Sequence, residues 1–477
     1  MLAFGAAHAA IAGWTWRSLR NEWALDLAYF HQQIWSAAHG RGFAQTVHWH
    51  ESQQVFGNTH FNPIIVLAAP LQWLWPGLDA LLLVQSLLIA LGGFGAYRLA
   101  RAHGGRPEIG VGAAAIFLLQ APLWRLAQAD VRPLLWSIPF LVLLGAALAE
   151  RRPREALLWG LLACFCREEL PIVVAGVALL HGLGPGVSPR RRPLALRLAL
   201  GALGLWLATS LIRPEAEAYI DPQMWLMESL GWGLDLPRGV GPHPEWVQRL
   251  PDRLAWLLGW SWPVGLLALG APRLLLATAP LFAYLLTTDV GWASWTSEGP
   301  HYTAPAAALV GAAAAVALGR LDGGATAPTP WTGRAMGPRP RPRWLAPAAI
   351  VAVLVVQGVQ LNQARSWIAD DVGPWRAGDP TVLALHDLAA RVPADAAVVA
   401  DFDTVHLFAG RPSLYCYERL DMKDGVDASM PGPLLPVITP QPDWALFKDQ
   451  HTAWIARAER AGLVEQARAG RYVLYGR

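Results

Sequence analysis

Apolar runs of about the length that a membrane-spanning helix needs recur along the first three quarters of the chain. Short segments that contain arginine, proline or glycine separate most of them. The runs lie at residues 2–16, 80–98, 107–124, 134–149, 155–166, 170–183, 195–212, 253–270, 274–288, 303–319 and 345–363. The pattern predicts a mainly α, polytopic transmembrane protein with about 11 spans.

Two segments depart from this simple series of spans. Arg167, Glu168 and Glu169 interrupt the apolar stretch 155–183, and three charges at the bilayer centre would cost roughly 8–10 kcal/mol. We therefore expect the triplet to lie at a membrane surface between two spans. The segment 63–76 is short and bounded by prolines, which predicts a juxtamembrane helix, either re-entrant or lying on the surface.

Arginine placement predicts the orientation of the spans, because short cytoplasmic loops collect basic residues. If the first span exits outward, the inner loops contain the arginines of 98–106, 151–154 and 190–197 and those of a proline-rich cytoplasmic linker, 320–344. The outer segments contain fewer. Counting 63–76 as a full span would place the basic loops outside, which is a second reason to treat it as a juxtamembrane helix.

The composition agrees with a membrane protein. Hydrophobic residues make up 54% of the chain and charged residues 15%, and the mean hydropathy is +0.30. The net charge of +3 follows from the arginines of the inner loops, so we expect the lipid bilayer and no nucleic acid as a partner.

The composition changes near residue 365, where aspartate becomes common and the apolar runs become short. Runs at 396–400, 414–417 and 472–475 predict strands, and the patterns at 380–391 and 452–461 predict helices. We therefore divide the chain into a transmembrane domain, residues 1–364, and a small extracytoplasmic α/β domain, residues 365–477.

A polar insert at residues 21–62 follows the first predicted span, and we assign it as an outer loop. Apolar residues recur in its first part at spacings of three and four, which predicts a helix lying along the membrane surface. Asp26 falls on another face of this helix, together with Glu22, Tyr29 and Gln33. Asp26 is either a solvated surface carboxylate or a general base that faces a cavity between the insert and the spans. The pattern alone does not separate Asp26 from Glu22.

Five motifs follow one another along the membrane part: DLAYFHQQIWSAAHG, HFNPIIVLAAP, DVRP, CREEL and HYTAP. In order and spacing they resemble an uncharacterised family of predicted membrane proteins, domain of unknown function 2079, which is grouped with the GT-C class of integral membrane glycosyltransferases. The resemblance covers residues 21–319 and implies a GT-C-type fold in which Asp26 is the catalytic base and 63–76 is the juxtamembrane helix. It also implies that a polyprenyl-phosphate-linked sugar binds at the outer leaflet. The chain departs from the family pattern at His31, where an acid often stands, and at Arg132, where a histidine often precedes the proline.

The predicted topology places nine polar residues of these motifs on one face of the membrane: Asp26, His60, Asp130, Arg132, Arg167, Glu168, Glu169, His301 and Tyr302. Sugar transfer from a lipid phosphate needs a base for the acceptor hydroxyl and positive charge for the leaving phosphate. Asp26 is the base candidate, and an arginine or a divalent cation, Mg²⁺ or Mn²⁺, would supply the charge. The candidate substrate-binding residues are His60, Arg132, Arg167, His301 and Tyr302, and the candidate metal ligands are Asp130, Glu168 and Glu169.

Structural roles compete with several of these assignments. Asp130 is placed to cap the helix that follows it. The triplet at 167–169 also fits an interfacial ion-pair cluster, and His301 and Tyr302 also fit an aromatic belt at a span entrance.

The sequence therefore predicts a glycosyltransferase that moves a sugar from a polyprenyl-phosphate carrier to an unknown acceptor on the outer face. The expected location is the cytoplasmic membrane of a bacterium or archaeon. The alternative is a protein that binds a lipid-linked substrate without transfer chemistry, either a non-catalytic GT-C relative or a transporter.

Overall fold

Helices form most of the described chain before residue 371, and a small sheet follows them. The computed structural model describes residues 1–19, 24–47, 61–126, 130–182, 192–212, 246–279, 282, 303–323, 342–370, 379–417 and 442–477. The helices up to residue 370 are α1 Leu2–Arg17, α2 Ala24–Ala38, a 3-10 helix Pro63–Ala68, α3 Ala69–Leu74, α4 Leu78–Ala102, α5 Pro107–Leu119, α6 Ala121–Arg125, α7 Pro133–Ala149, α8 Pro153–Cys164, α9 Leu170–Gly182, α10 Arg192–Ile212, α11 Trp246–Ser261, α12 Val264–Ala268, α13 Pro272–Leu276, α14 Ala304–Gly323 and α15 Leu345–Asp370.

Each predicted apolar run overlaps at least one of these helices, so the mainly helical architecture is confirmed. Among the described residues, three helices are long and apolar enough to cross a membrane: Leu78–Ala102, Ala304–Gly323 and Leu345–Asn362. Shorter apolar helices occupy Pro63–Leu74, Pro107–Leu119, Pro133–Ala149 and Leu170–Gly182. The number of about 11 spans stays a prediction.

The central helix of the bundle is the alanine-rich α14, which is buried along almost its whole length. Small side chains let its backbone approach its neighbours closely, as is common between membrane helices. A Cβ atom at Gly319 would collide with the carbonyl oxygen of Ala100 in α4, so glycine is required at this crossing. By contrast, α15 exposes Val351, Val355 and Val359 on one side, as expected of a helix that faces lipid.

The two ends of α4 contact different predicted segments, an outer one near its beginning and an inner one near its end. Gln85, near the beginning of α4, accepts a hydrogen bond from Trp136 Nε1, near the beginning of α7, at 3.2 Å. Arg98, near its end, forms ion pairs of 2.6 and 2.7 Å with Glu150 and Glu155, which flank the loop between α7 and α8. Segments that we predict to be outer and inner thus lie at opposite ends of the bundle. The compartment that each end faces stays a prediction.

The described residues of the C-terminal part form five strands in the order β2-β1-β3-β5-β4. Strand β1 runs parallel to β2 and β3, whereas β5 pairs antiparallel with β3 and β4. The elements are α16 Pro380–Arg391, β1 Val398–Ala400, a 3-10 helix Val405–Phe408, β2 Leu414–Cys416, β3 Trp444–Lys448, α17 Thr452–Arg460, β4 Val464–Ala469 and β5 Tyr472–Gly476.

The predicted helices and three predicted strands of this part are present, but β3 and β4 were not predicted. β3 has five residues, and β4 has the largely exposed sequence VEQARA, which contains no apolar run. The boundary drawn between residues 364 and 365 falls inside α15, which continues to Asp370. The division into two domains stays a prediction.

Candidate functional site

Helix α2 carries Asp26 and lies between the helical bundle and the C-terminal sheet. Leu27 and Ile34 belong to the apolar core of the bundle, whereas Leu25 and Ala28 belong to the core on one face of the sheet. The sequence offered two interpretations of this helix, and burial on both sides argues against a helix with a solvated second face. Packing on two sides fixes the direction in which Asp26 points.

The C-terminal part also forms hydrogen bonds with α2 and the loop that follows it. Gln32 Nε2 donates to the carbonyl oxygen of Arg411 at 3.0 Å. Thr46, in the loop after α2, donates to Leu414 O at 2.7 Å and accepts from Leu414 N at 2.8 Å. Gly410 has a φ of +85° and packs closely against α2, because a Cβ atom added to it would be 3.3 Å from His31 Cε1. The C-terminal part therefore helps to position the helix that carries the candidate base.

Asp26, Asp130 and Arg132 meet at one guanidinium group. Arg132 Nη2 contacts Asp26 Oδ2 at 2.5 Å and Asp130 Oδ2 at 3.1 Å. The side chains of Arg132 and Asp130 are 8% and 1% exposed, whereas that of Asp26 is 24% exposed. The carboxylate of Asp26 is therefore the member of this group that a ligand can reach most easily.

Local chain geometry explains how Arg132 is presented. Arg132 precedes Pro133, the first residue of α7, and has the extended backbone that a residue before proline prefers (φ −134°, ψ 124°). Arg132 is the N-cap residue of α7, and its own side chain makes no capping hydrogen bond. The carboxylate of Asp130, the alternative cap candidate, contacts the guanidinium of Arg132.

Gln85 of α4 fixes the segment 130–132, and the sequence analysis missed it. Its Nε2 donates to Asp130 O at 3.0 Å, and its Oε1 accepts from Arg132 N at 2.9 Å and from Trp136 Nε1 at 3.2 Å. The available signal was a buried amide side chain within an apolar span, where polar residues are costly and therefore often functional. Gln85 is a positioning residue for the arginine.

The second group of predicted residues lies in the turn between α8 and α9. Arg167 Nε is 3.2 Å from Glu169 Oε2 and 3.8 Å from Glu168 Oε1. The triplet lies between two helices, as expected, and all three side chains are buried within the protein. The place of this turn at a membrane surface stays a prediction. The alternative role as an ion-pair cluster describes these contacts.

Phe61 and the 3-10 helix Pro63–Ala68 connect the two groups. Phe61 N donates to Glu168 Oε2 at 2.8 Å, and Ile64 N donates to the carbonyl oxygen of Phe165 at 3.1 Å. The 3-10 helix in turn packs against α2. Residues of four motifs that are far apart in the sequence are thus linked by contacts, and the placement of all five motifs on one face of the membrane stays a prediction. His60, His301 and Tyr302 lie outside the described residues.

The metal site that the sequence predicts, with Asp130, Glu168 and Glu169 as ligands, stays a prediction. Carboxylates are suitable for Mg²⁺ or Mn²⁺, but Asp130 and Glu169 each contact an arginine. Over the described ranges, no three His, Cys, Asp or Glu side chains come together in a group that could hold a metal ion. We therefore derive no step through a cation.

His31, where the family pattern often has an acid, is a buried neutral side chain. Burial lowers the pKa of His31 to about 4, and the hydrogen bond to Gln72 only partly offsets this effect. The ring Nε2 lies 3.2 Å from Gln72 Oε1. At neutral pH this position therefore carries no charge.

The chain resembles a known protein family and several solved structures. A family model described as predicted membrane protein DUF2079 matches residues 21–474. No curated protein matches. Among solved structures, ArnT from Cupriavidus metallidurans, bound to undecaprenyl phosphate, is 16% identical with a TM-score of 0.48, and the match covers 99% of this chain and 97% of that one. The apo state of ArnT gives the same values.

A second similar structure is the arabinofuranosyltransferase AftD from Mycobacteria. It is 15% identical with a TM-score of 0.46, and the match covers 100% of this chain and 40% of that one.

Proposed function

The chain belongs to the DUF2079 family of predicted membrane proteins, and we propose that it is an integral membrane glycosyltransferase. In this proposal it moves a sugar from a polyprenyl-phosphate carrier to an acceptor at the outer face of the cytoplasmic membrane, where the C-terminal part also lies. Asp26 is the general base, and Arg132 binds the carrier phosphate. The observation that carries the proposal is the contact between these two residues, in which the aspartate is the more exposed partner.

The charges around Arg132 suggest how donor binding would activate the base. The two aspartates and one arginine sum to a formal charge of −1, which repels an anionic phosphate as long as both carboxylates hold the guanidinium. Asp130 is almost fully buried, so Asp26 is the carboxylate that an arriving phosphate would displace. A guanidinium has five N–H donors and binds phosphate well.

Displacement of Asp26 would turn it from a partner of arginine into a base. An aspartate bound to a guanidinium is a poor proton acceptor, because the arginine stabilises the ionised carboxylate. After displacement, Asp26 would accept the proton of the acceptor hydroxyl while the acceptor oxygen attacks the anomeric carbon of the donor sugar. The carrier phosphate would leave with the electrons of the broken bond, and Arg132 would stabilise its charge. The base would thus act only when the donor is bound.

Replacement of Asp26 separates this proposal from simple carrier binding. In Asp26→Asn, transfer should be lost by at least about 100-fold, the lower end of what general-base catalysis contributes. Binding of the sugar-free carrier, undecaprenyl phosphate, should not weaken and should tighten up to about tenfold, because the competing carboxylate is removed. Both are measured with the full chain in lipid nanodiscs, transfer from a panel of polyprenyl-phosphate sugars and binding by titration.

The matched control is Asp79→Asn. Asp79 lies at the beginning of α4, forms an ion pair of 3.0 Å with the largely exposed side chain of Arg17, and makes no contact that we assign to the site. This variant should transfer like the wild type.

If the wild-type protein binds the carrier but transfers no sugar, the non-catalytic alternative is favoured. A water-filled path across the membrane would favour the transporter. Loss of transfer after chelation, with recovery on addition of Mg²⁺ or Mn²⁺, would establish that the reaction needs a metal ion.

A further inference from the structure

Gln33 of α2 is completely buried, yet its side-chain amide makes no hydrogen bond to any residue that the structure describes. It is 0% exposed, and neither Nε2 nor Oε1 has a partner within the described structure. Buried amides are almost always hydrogen-bonded, because an unsatisfied donor or acceptor costs stability. A buried amide that finds no partner within the described structure is suited to binding a polar ligand.

The neighbouring glutamine shows that this is not a general property of α2. Gln32 is also 0% exposed, but its Oε1 accepts from Thr46 N at 2.8 Å and its Nε2 donates to Arg411 O and Thr46 Oγ1. Gln32 faces the C-terminal part, where every polar atom of its amide has a partner. Gln33 points in a direction about 100° away around the helix.

That direction is the one in which Asp26 points. Residues seven apart on a helix lie on the same side, separated by two turns or about 10 Å along the axis. Gln33 therefore lies on the Asp26 side of α2, at a distance suited to another part of a ligand that reaches the Asp26–Arg132 contact.

A second buried amide nitrogen without a partner belongs to Asn62. Asn62 is 3% exposed, and its Nδ2 has no partner among the described residues. It follows Phe61, whose N–H binds Glu168, and directly precedes the 3-10 helix that packs against α2. Helix α2 and the residue that begins the neighbouring 3-10 helix thus each carry a buried amide nitrogen that is unused within the described structure.

The unused atoms indicate the chemistry of the ligand. Gln33 has two N–H donors and one acceptor oxygen to satisfy. A phosphodiester only accepts hydrogen bonds and would leave Oε1 unpaired, whereas a sugar hydroxyl both donates and accepts. We propose that Gln33, assisted by Asn62, binds hydroxyl groups of the donor sugar and so contributes to sugar specificity. This rests on the proposed function and adds that the acceptor approaches the more exposed Asp26, while the donor sugar occupies the enclosed part of the site near Gln33.

The experiment compares two adjacent substitutions, Gln33→Leu and Gln32→Leu, in the full chain in nanodiscs. Thermal stability is measured without ligand, and affinity is measured for undecaprenyl phosphate alone and for the same carrier bearing a hexose, a pentose or an amino sugar. Gln33→Leu should raise the melting temperature by roughly 2–4 °C, because it removes unsatisfied polar atoms. Gln32→Leu should lower it, because it leaves Arg411 O and the Thr46 groups without their partner.

Affinity supplies the decisive comparison. In the wild type, at least one sugar-bearing carrier should bind more tightly than the bare carrier. Gln33→Leu should weaken that complex about tenfold and change the binding of bare carrier less than about twofold.

The other outcomes contradict the inference in distinguishable ways. If bare carrier binds and no sugar adds affinity, or if the added affinity survives in Gln33→Leu, the role of Gln33 is wrong while the proposed function stands. A lowered melting temperature in Gln33→Leu would also overturn it, since it would show that the glutamine is structural. If no carrier binds to the wild type at all, both the inference and the proposed function fail.

Discussion

Replacement of Gln85 by leucine removes the side chain that fixes the segment 130–132. Leucine has a similar volume but no polar atoms, so packing in α4 is largely preserved. Three hydrogen bonds disappear, and their partners, Asp130 O, Arg132 N and Trp136 Nε1, lose a buried contact at once. The change therefore tests hydrogen bonding with little change in size.

The expected cost follows from the number of bonds. Side-chain hydrogen bonds between membrane helices contribute about 0.6 kcal/mol on average and up to about 1.7 kcal/mol, and buried groups left without partners cost about 1–3 kcal/mol each. Taking about 1 kcal/mol for each bond, Gln85→Leu should reduce the free energy of unfolding by about 3 kcal/mol. Carrier binding should weaken as well, because Arg132 loses the anchor of its backbone.

A control variant is available in α15. Gln357 is also fully buried, but it makes one hydrogen bond, from Nε2 to Ile116 O at 2.9 Å, and its Oε1 has no partner in the described structure. Gln357→Leu should cost about 1 kcal/mol or less and leave carrier binding unchanged. Unfolding is measured in bicelles by titration with a denaturing detergent. Equal costs for the two variants, within about 0.5 kcal/mol, would refute the reasoning about Gln85.

Two further predictions concern the contact between α2 and the C-terminal part. Gly410→Ala should reduce the free energy of unfolding by about 1–2 kcal/mol more than Gly462→Ala does in thermal unfolding. Both glycines have a positive φ (+85° and +82°), but only at Gly410 would an added Cβ atom approach His31, at 3.3 Å. Equal costs would show that the contact is loose. The free energy of unfolding should fall as the pH falls from 6.5 toward 4. In the folded state His31 stays neutral down to its pKa of about 4, whereas in the unfolded state it is protonated near pH 6.5. This difference in pKa is worth roughly 3 kcal/mol. A His31→Asn variant should show a smaller pH dependence, and an unchanged profile would exclude His31 as its source.

The helices were predictable because each apolar run is a local signal. The run 134–149 corresponds to the helix Pro133–Ala149 and the pattern at 380–391 to the helix Pro380–Arg391. The motif residues Asp26, Asp130 and Arg132 were found through residue type, motif order and predicted topology. Their mutual contact was not predictable, because Arg132 and Asp26 are 106 positions apart and their geometry depends on tertiary packing.

The residues that sequence reasoning missed are those whose role depends on the direction in which the side chain leaves its helix. Gln85 lies within an apolar run, and nothing in the run shows which side of α4 meets the segment 130–132. Gln32 and Gln33 are adjacent and of the same type, yet the first is fully hydrogen-bonded and the second is not. The difference arises because the C-terminal part covers only one side of α2.

The position of α2 between the two parts has a consequence for the biosynthesis of the protein. Gln32 and Arg411 are 379 positions apart, so a ribosome must translate most of the chain before this contact can form. While the later segments are being made, Leu25 and Ala28 lack the apolar core they eventually join. A product truncated before the sheet would keep Asp26 but not the support that positions it. Incomplete chains would therefore be inactive and would expose an apolar helix face that quality-control proteases can recognise.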